Sequence, residues 1–324
     1  MRDIPVNPSI RRLGVPVAHG GIPQAGREAL LKLYPDAKFN TLPRALTEDE
    51  IIDFLAGCDA VIAGLDLLSA RVVDALPDLQ IVGKFGAGYD TVDLEALKRR
   101  NIMFGYTFGV NALAVAEVTL SMMIAALRHV PAQNLAMRNG ERPRFRMGQL
   151  LTGRTVGIHG CGHVGKELVR LLKPFNCEIL ACDIRDYSDF YAANGVTAVG
   201  MDELLARSEV LTLHLAKSKL TTGLYTRAVL EKIRPGAVLI NTCRGGVVDE
   251  DALFERLQAG ALTCACFDVF AIEPATNDAL LRHPNMLATP HMGAAVEDVR
   301  VAMFHSAIRG LVENGPVNLA DYDL

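Results

Sequence analysis

A glycine turn between two strand-like runs constrains the fold of this chain more than any other feature. Residues 160–165 read Gly-Cys-Gly-His-Val-Gly and follow the β-rich run 154–159. Apolar residues recur at helical spacing over 166–175, and the apolar run 178–182 is followed by Asp183. Strand, glycine turn, helix, strand and acid in this order predict a dinucleotide-binding βαβ unit.

Each glycine of this turn has its own task in such a unit. Gly160 allows the tight turn, Gly162 lets a pyrophosphate approach the backbone, and Gly165 lets the helix pack closely on the strand. The helix N-terminus offers free N–H groups and the positive end of its dipole to phosphate. Asp183, 18 residues after the last glycine, is placed to accept hydrogen bonds from a ribose diol and to repel a 2′-phosphate. The turn therefore predicts NAD as the cofactor, in preference to NADP.

Composition and charge narrow the class of protein. A chain of 324 residues is long enough for about two domains, each with its own core. The net charge of −4 is close to neutral and gives no nucleic-acid footprint. The N-terminus lacks the apolar segment of a signal peptide, and the longest apolar stretch, 112–127, contains Glu117 and falls short of a membrane span. We expect a cytoplasmic protein without a nucleic-acid or membrane partner.

Seven cysteines stand singly along the chain, mostly in apolar runs. An odd number without framework spacing is typical of reduced thiols in a cytosolic protein. Cys264 and Cys266 lie two apart in a predicted strand and so share a face, which favours core packing over metal ligation. We expect no metal site.

Predicted strands and helices alternate over the whole chain, which favours an α/β protein with two doubly wound parallel sheets. The first unit is predicted to have strands at 13–17, 37–40, 60–63, 80–84 and 102–105, and helices at 24–33, 48–56, 70–76 and 90–99. The second unit is predicted to have strands at 155–159, 178–182, 197–199, 210–214, 237–241, 263–268 and 286–288. A long apolar helix over 111–129 and a polar stretch over 131–149 precede the second unit, and a helix over 294–313 closes the chain.

Three predicted strand ends of the second unit carry ionisable residues of different kinds. Arg244 follows the strand 237–241, Glu273 lies in the loop after the next strand, and His291 lies in the loop after the following one. Ligands of open α/β sheets bind beyond the carboxyl ends of the strands. Arginine binds carboxylates through a planar fork, histidine suits proton transfer near neutral pH, and a neighbouring glutamate would favour the imidazolium. Taken singly, each has an ordinary alternative, as a surface residue, a loop acid or a turn residue bonded to the backbone.

Six motifs occur in the order in which one protein family carries them. They are residues 84–90 (Lys-Phe-Gly-Ala-Gly-Tyr-Asp), 109–117, the glycine turn with Asp183, 241–245 (Asn-Thr-Cys-Arg-Gly), 268–274 and 289–293. By these motifs the chain resembles the D-isomer-specific 2-hydroxyacid dehydrogenases over nearly its whole length. The resemblance implies a flavodoxin-like substrate domain (residues 1–107 and 298–324), an inserted Rossmann NAD-binding domain (residues 108–297), and an active site in the cleft between them.

The resemblance also implies an activity, namely hydride transfer between nicotinamide and C2 of a 2-hydroxy or 2-oxo acid. Arg244 would orient the 2-oxo acid, His291 would act as acid and base, and Glu273 would pair with His291. Substrate binding is implied for Lys84 and, through backbone N–H groups that hold the carboxylate, for Ala87 and Gly88. Cofactor contacts, with Asp268 at the nicotinamide carboxamide, are implied for the following set: Gly160, Gly162, His163, Val164, Gly165, Asp183, Thr242, Cys243, Asp268 and Gly293.

The arm that follows the long helix leaves two interpretations open. By the same resemblance, the helix from Asn111 and this arm would form a homodimer interface. The arm carries four arginines, at positions 138, 142, 144 and 146. They form either a solvated face or a set from which one arginine reaches a neighbouring subunit's active site and reads a distal anion on the substrate.

Departures from the family pattern bear on the substrate. Lys84 stands where members often have arginine, and Ala216 stands where a proline is usual. Phosphoglycerate dehydrogenases commonly show an Arg-Ser pair after the third strand, where this chain has Ala63-Gly64-Leu65-Asp66. Phosphoglycerate is therefore not the favoured substrate. Two other functions stay open: an NAD(H)-binding redox-sensing partner protein of the same fold, and a dehydrogenase of the formate or phosphonate type.

Overall fold

The chain forms two compact units, each built on a parallel sheet. A computed structural model describes residues 4–86 and 88–322, without the side chains of residues 321 and 322. Unit 1 comprises Met1–Asn111 with Ala295–Leu324, and unit 2 comprises Ala112–Ala294. Within the described residues, all strand pairings in both sheets are parallel, which confirms the predicted α/β class with two doubly wound sheets.

Unit 1 has a five-stranded sheet in the order β2-β1-β3-β4-β5, which is the flavodoxin-like order. Its strands are β1 Leu13–Val15, β2 Lys38–Phe39, β3 Ala60–Ala63, β4 Ile81–Lys84 and β5 Met103–Gly105. Its helices are α1 Gln24–Leu33, α2 Glu48–Leu55, α3 Ala70–Ala75, α4 Leu94–Arg99 and α13 Glu297–Gly310.

Helix α4 begins four residues later than the sequence pattern predicts, at Leu94 rather than at Asp90. The side chain of Asp93 accepts a hydrogen bond from the backbone N–H of Ala96, so Asp93 caps the helix. The preceding Val92 forms a bridge with Leu68. The Asp93 cap therefore fixes the start of the helix, and Val92 lies outside it, in the bridge to Leu68.

The last helix, α13, packs on the sheet of unit 1 through glycines. A Cβ at Gly83 would lie 2.6 Å from the carbonyl oxygen of Ala307, and one at Gly105 would lie 2.0 Å from that of Gly310. No side chain fits at either strand position, so the helix backbone lies directly against β4 and β5. This contact returns the end of the chain to unit 1.

Unit 2 has a seven-stranded sheet in the order β12-β11-β10-β9-β6-β7-β8. Its strands are β6 Thr155–His159, β7 Glu178–Cys182, β8 Val196–Ala198, β9 Val210–Leu213, β10 Ala237–Asn241, β11 Leu262–Phe267 and β12 Met286–Ala288. Its helices are α5 Ala112–Leu127, α6 Val130–Arg138, α7 His163–Leu172, α8 Ser188–Asn194, α9 Met201–Arg207, α10 Arg227–Glu231, α11 Glu250–Gln258 and α12 Asp278–Leu281.

Alternate residues of the central strands of unit 2 feed two hydrophobic clusters. Leu211 and Leu239 belong to one cluster, and their neighbours Val210 and Val238 belong to the other. Successive strand residues point to opposite faces of a sheet, so each face is covered by its own core. Burial on both faces explains the nearly continuous apolar runs from which these strands were predicted.

The polar stretch predicted over 131–149 contains a helix that its composition did not indicate. Helix α6 occupies Val130–Arg138, and none of its residues is buried. It therefore has no stripe of core residues from which a helix could be predicted. No single helix among the described residues has the length and apolar character to cross a membrane. Helices α5 and α6 meet that test only as a pair bent by 71°.

Candidate active site

The carboxyl ends of β6 and β9 form the switch point of the sheet in unit 2. Strands β6, β7 and β8 follow one another in one direction, and β9 then pairs with the opposite edge of β6. Ligands of such sheets bind in the crevice at this point. Residues 160–165, here called the glycine turn, lie there between β6 and α7.

The three glycines of the turn have different surroundings. Gly160 has φ of +91°, and a Cβ there would lie 2.5 Å from the carbonyl oxygen of His214. A Cβ at Gly165 would lie 2.6 Å from the carbonyl oxygen of Gly160, whereas a Cβ at Gly162 would meet no heavy atom within 4 Å. Two of the glycines are thus needed for the turn and its packing, and the third leaves backbone open to a ligand.

The first turn of α7 provides the donors that a phosphate needs. The helix runs for 10 residues from His163, and Gly162 precedes it without a side-chain cap. His163 is exposed and Val164 half-buried. Uncapped N–H groups, the positive end of the helix dipole and the open space at Gly162 together fit a pyrophosphate group.

Asp183, directly after β7, faces the glycine turn. Its Oδ2 accepts a hydrogen bond of 2.6 Å from the backbone N–H of Cys161, and its Oδ1 accepts one of 2.8 Å from the backbone N–H of Arg185. Each carboxylate oxygen has a further lone pair. The carboxylate therefore steadies the turn and keeps acceptor capacity for a ribose diol.

Arg244 lies in a turn that Asn241, the last residue of β10, holds in shape. The Asn241 side chain accepts a hydrogen bond of 3.1 Å from the N–H of Cys243 and donates one of 3.1 Å to the carbonyl oxygen of Arg244. The Arg244 guanidinium donates to the carbonyl oxygen of Cys243 at 2.7 Å. A Cβ at Gly245 would lie 1.7 Å from the carbonyl oxygen of Phe270, so this turn packs directly on the loop after β11.

His291 and Glu273 form a hydrogen-bonded pair. The distance from His291 Nδ1 to Glu273 Oε2 is 2.7 Å, and the side chains are 47% and 37% exposed. The other carboxylate oxygen of Glu273 accepts a hydrogen bond of 3.0 Å from the N–H of Phe270. The glutamate is thus held by the backbone, and it holds one ring nitrogen, so the other nitrogen, Nε2, is left for a substrate.

Asp268, the buried residue after β11, organises residues 289–293, here called the histidine turn. Its Oδ1 accepts from the Thr289 hydroxyl at 2.5 Å and from the N–H of Met292 at 2.8 Å. Its Oδ2 accepts from the N–H of Gly293 at 2.8 Å, and its carbonyl oxygen accepts from the N–H of His291 at 2.8 Å. Oδ2 has one lone pair left for a ligand, so Asp268 can position His291 and still bind an amide.

Thr242 and Cys243 lie between Asn241 and Arg244, and both are buried. The Thr242 hydroxyl lies 2.9 Å from the hydroxyl of Thr119 on α5. The Cys243 thiol donates to Asn241 Oδ1 at 3.0 Å, and burial raises its pKa. Because this thiol is turned inward, contact of Cys243 with a ligand would involve its backbone.

The substrate-binding residues predicted in unit 1 lie at the carboxyl end of β4. Lys84 is buried, and its ammonium donates to the carbonyl oxygens of Gly64 and, at 3.0 Å, Phe85. Asp66 is also buried, and its Oδ2 accepts a hydrogen bond of 3.1 Å from the N–H of Gly64. Burial raises the pKa of this carboxyl, and Lys84 opposes the shift. Gly88 follows β4, whereas Ala87 lies outside the described residues.

Several residues of this region carry no separate prediction from the sequence. Three residues, Asn241, Thr289 and Thr119, hold other site residues in place. Asn241 and Thr289 lie within the family motifs, so the sequence pointed to their positions, whereas nothing in the sequence pointed to Thr119.

The four arginines of the arm are exposed. No cluster of three or more His, Cys, Asp or Glu side chains that could hold a metal occurs in residues 4–86 and 88–322.

Comparison with known proteins gives a consistent result. Residues 120–293 match the family model for the NAD-binding domain of D-isomer specific 2-hydroxyacid dehydrogenases. The chain is 34% identical over 260 residues to a D-3-phosphoglycerate dehydrogenase of Archaeoglobus fulgidus, which is 79% of this chain and 49% of the relative. It is 32% identical over 283 residues to the human D-3-phosphoglycerate dehydrogenase, which is 84% of this chain and 53% of the relative. The chain thus spans about half the length of these curated relatives.

Solved structures show the same likeness. A glyoxylate reductase from Paecilomyes thermophila superposes with a TM-score of 0.82 at 26% identity, over 92% of this chain and 93% of that one. A protein from Thermus thermophilus superposes with the same TM-score at 28% identity, over 92% of this chain and 94% of that one.

Proposed function

Because the chain belongs to the D-isomer specific 2-hydroxyacid dehydrogenases, we propose that it is an oxidoreductase that interconverts a 2-oxo acid and a D-2-hydroxy acid with NAD. The observation that carries this proposal is the His291–Glu273 pair, with Nδ1 and Oε2 2.7 Å apart. It lies at the carboxyl end of the same sheet as the glycine turn. A proton donor and a nucleotide site on one sheet edge are what reduction of a carbonyl requires.

The proposed roles follow from the chemistry of each side chain. The cofactor, when bound, would supply C4 of its nicotinamide ring, from which NADH gives a hydride to C2 in reduction and at which NAD takes it up in oxidation. In the reducing direction His291 gives the Nε2 proton to the developing alkoxide, and Glu273 stabilises the imidazolium. Arg244 binds the carboxylate and carbonyl oxygen and stabilises negative charge as it grows. Lys84 is proposed to bind the substrate, and the backbone N–H groups around Ala87 and Gly88 are proposed to hold its carboxylate.

The proposed cofactor contacts are those of the glycine turn, Asp183 and the ends of β10, β11 and β12. Asp183 supports a preference for NAD over NADP, because its carboxylate accepts from a free ribose diol and repels a 2′-phosphate. The other proposed cofactor residues are His163, Val164, Thr242, Cys243, Asp268 and Gly293. We keep residues 1–107 with 298–324 as the proposed substrate domain and 108–297 as the proposed NAD-binding domain.

We also propose that the protein is a homodimer. Apolar side chains on α5, α6 and the arm after them are exposed, Phe145 at 80% and Met147 at 78%. A large exposed apolar patch is typical of an association surface. Light scattering should give a dimer mass, and Phe145→Asp with Met147→Asp should lower it to that of a monomer.

The seven free thiols support a cytoplasmic location.

The test of the proposed activity is a panel of 2-oxo acids assayed with NADH and with NADPH. Glyoxylate, hydroxypyruvate, pyruvate, phosphohydroxypyruvate and longer analogues cover small, phosphorylated and apolar side chains. We expect turnover of at least one unphosphorylated acid, with a higher kcat/KM for NADH. Tight NADH binding without turnover of any acid would instead favour a redox-sensing partner protein, and oxidation of formate or phosphonate would favour that branch.

A further inference from the structure

The loop after β3, residues 64–67, turns its charged residue inward and its apolar residues outward. Asp66 is 3% exposed, whereas its neighbours Leu65 and Leu67 are 84% and 49% exposed. Water favours the opposite arrangement, because a carboxylate loses its hydration on burial and leucine is stabilised by burial. A buried carboxylate needs partners that offset this cost, so the contacts of Asp66 indicate what the inversion provides.

One oxygen of the Asp66 carboxylate is held, and the other is open. Oδ2 accepts the hydrogen bond of 3.1 Å from the N–H of Gly64. Oδ1 has no hydrogen-bond partner within residues 4–86 and 88–322, and it is not one of the fully buried polar atoms without a partner there. Oδ1 therefore keeps accessible surface and can accept a hydrogen bond from a small ligand.

Lys84 joins this loop to the loop after β4. It ends β4, which pairs with β3, and its ammonium donates to the carbonyl oxygens of Gly64 and Phe85. Gly64 thus bonds Asp66 through its N–H and Lys84 through its carbonyl oxygen. Burial raises the pKa of the Asp66 carboxyl, and the N–H of Gly64 and the Lys84 ammonium oppose this shift. The acid therefore lies beside the strand end to which substrate binding is proposed, and its neighbours there favour the ionised form.

The same loop lies at the switch point of the sheet in unit 1. Strand β2 pairs with one edge of β1, and β3 then pairs with the other edge. Ligands of open parallel sheets bind beyond the carboxyl ends of the strands at such a point. A Cβ at Gly64 would lie 2.9 Å from Val17 Cγ2, so the loop packs on the segment that follows β1. An open acceptor thus lies where a ligand of this sheet is expected.

We propose that Asp66 determines substrate specificity, by accepting a hydrogen bond from a hydroxyl on C3 of a 3-hydroxy-2-oxo acid and by repelling a phosphate or a second carboxylate at that carbon. This inference rests on the proposed function, with the substrate carboxylate held around Ala87 and Gly88. In an acid held there by C1, the C3 substituent is only two carbon–carbon bonds away, which keeps it within reach of the neighbouring loop. An acceptor that is charged favours a donor and disfavours an anion.

The experiment measures kcat/KM with NADH for hydroxypyruvate, pyruvate, phosphohydroxypyruvate and oxaloacetate. These acids carry at C3 a hydroxyl, no substituent, a phosphate ester and a carboxylate, in that order. The wild-type chain should prefer hydroxypyruvate to the other three. Asp66→Ala removes the acceptor, so the ratio of kcat/KM for hydroxypyruvate to that for pyruvate should fall about ten- to a hundredfold. Asp66→Asn removes the charge, so kcat/KM for the two anionic acids should rise about tenfold or more relative to pyruvate.

Asp59→Asn is the matched control. Asp59 directly precedes β3, as Asp66 follows it, and is also buried, at 5% exposed. Its carboxylate accepts from the N–H groups of Arg11 and Arg12, each at 3.0 Å. Because it lies at the opposite end of the strand, its substitution should leave the ratios unchanged. If Asp66→Asn does not fold, Asp66→Ala also lacks the charge and gives the same comparison for the anionic acids.

Unchanged ratios in the folded Asp66 variants overturn the proposal, as does a change of the same size in Asp59→Asn. A wild-type preference for pyruvate or for either anionic acid over hydroxypyruvate also overturns it. Calorimetry with the same four acids separates this failure from that of the proposed function. Turnover of none of them, with the binding preference for hydroxypyruvate intact, would overturn the function alone, and binding of none would overturn both.

Discussion

The glycine turn and the histidine turn solve the same backbone problem with different residues. Both lie at carboxyl ends of strands in unit 2, and both contain a left-handed residue, Gly160 with φ of +91° and His291 with φ of +51°. Glycine adopts this conformation without a steric penalty, whereas a residue with a Cβ is strained by about 1–2 kcal/mol. The first turn therefore adopts its shape without backbone strain, whereas the second has a strain that other contacts must offset.

The support for the histidine turn comes from Asp268. Three donors of the turn, the Thr289 hydroxyl and the N–H groups of Met292 and Gly293, reach its carboxylate. The difference between the turns matches their proposed tasks. A phosphate is bound by backbone N–H groups, so the residue can be glycine, whereas proton transfer needs an imidazole at the strained position itself.

Each turn also has a histidine next to it or within it, and the two histidines differ in burial. His159 ends β6, is 7% exposed and lies with Nδ1 2.7 Å from the Tyr225 hydroxyl. Burial lowers the pKa of His159 to about 4, although Asp183 opposes the shift. His159 is therefore neutral near pH 7 and has a structural role. His291, by contrast, is 47% exposed and is hydrogen-bonded to the carboxylate of Glu273.

The largest expected effect is that of His291→Asn. Asparagine tolerates the left-handed conformation, so the turn should keep its shape while the titrating group is lost. Turnover of a 2-oxo acid should fall by about 10²–10⁴-fold, which is the usual contribution of general acid–base catalysis. NADH binding, measured by fluorescence, should be nearly unchanged. Near-normal turnover in this variant would exclude His291 as the proton donor.

Asp268→Asn tests whether the histidine turn depends on its carboxylate. An amide has one acceptor oxygen and one NH₂ group, so at least one N–H of the turn would face another donor. Leaving a buried N–H without an acceptor costs about 1–3 kcal/mol, and kcat should fall about tenfold or more. The ¹H–¹⁵N signals of the His291 ring should shift in the free protein. Unchanged ring signals would mean that the turn holds its shape without Asp268.

The sequence predicted the regular parts of the fold well, because burial leaves a strong pattern. Strands β6, β7 and β10 have the predicted bounds, since the apolar run in each ends at a polar residue or directly before one. Helix α6 was missed, because none of its residues is buried and so no stripe of core residues marks it in the sequence. The start of α4 was misplaced, because the local pattern did not show that Asp93 is the cap.

The candidate site was predictable only in part, for a different reason. Strand ends and motif positions indicated Arg244, Glu273 and His291 as candidates, but contacts between loops far apart in sequence leave no periodic signal. The hydrogen bonds of Asp268 to residues 21 to 25 positions later belong to this class. So does the Thr119–Thr242 pair, whose members are 123 positions apart.

Lowering the pH should weaken the unit around the glycine turn through His159. Its pKa is depressed from an unfolded value of about 6.5 to about 4 in the fold, so the unfolded chain binds the proton more readily. The stability contribution is present above pH 6.5 and is lost as pH falls toward 4, by up to about 3 kcal/mol.

Urea unfolding between pH 7 and pH 4 measures this loss. His159→Asn retains a polar partner for Tyr225 but does not titrate, so its stability should fall less over the same range. His214, whose pKa burial lowers to about 3, remains as a second contributor. An equal fall in the wild-type chain and the variant would show that His159 is not buried neutral.

Gly165→Ala should distort the glycine turn, because the added methyl group has no room against β6. The new Cβ would lie 2.6 Å from the Gly160 carbonyl oxygen and 3.3 Å from Ile158 Cγ2. Overpacking of this kind costs about 1–3 kcal/mol, so both the free energy of unfolding and the NADH affinity should fall. Gly162→Ala meets no protein atom within 4 Å, so it should weaken NADH binding with little effect on unfolding. Gly200→Ala, also in open space but at the N-terminus of α9, should leave the NADH affinity unchanged.

The smallest expected effect, that of Glu273→Gln, separates the charge of the pair from its geometry. Glutamine can still accept from the N–H of Phe270, but its NH₂ group then faces His291 Nδ1, which disfavours the imidazolium. Reduction needs His291 protonated, so its rate falls as pH rises, and this limb should move to lower pH in the variant. Oxidation needs the neutral ring, so its rising limb should move in the same direction, with only a modest loss of maximal rate.

Glu250→Gln is the matched control, because Glu250 accepts from the N–H of Ala271 in the same loop without contacting His291. Equal shifts of the pH profile in both variants would mean that the carboxylate acts through the loop rather than through the imidazole.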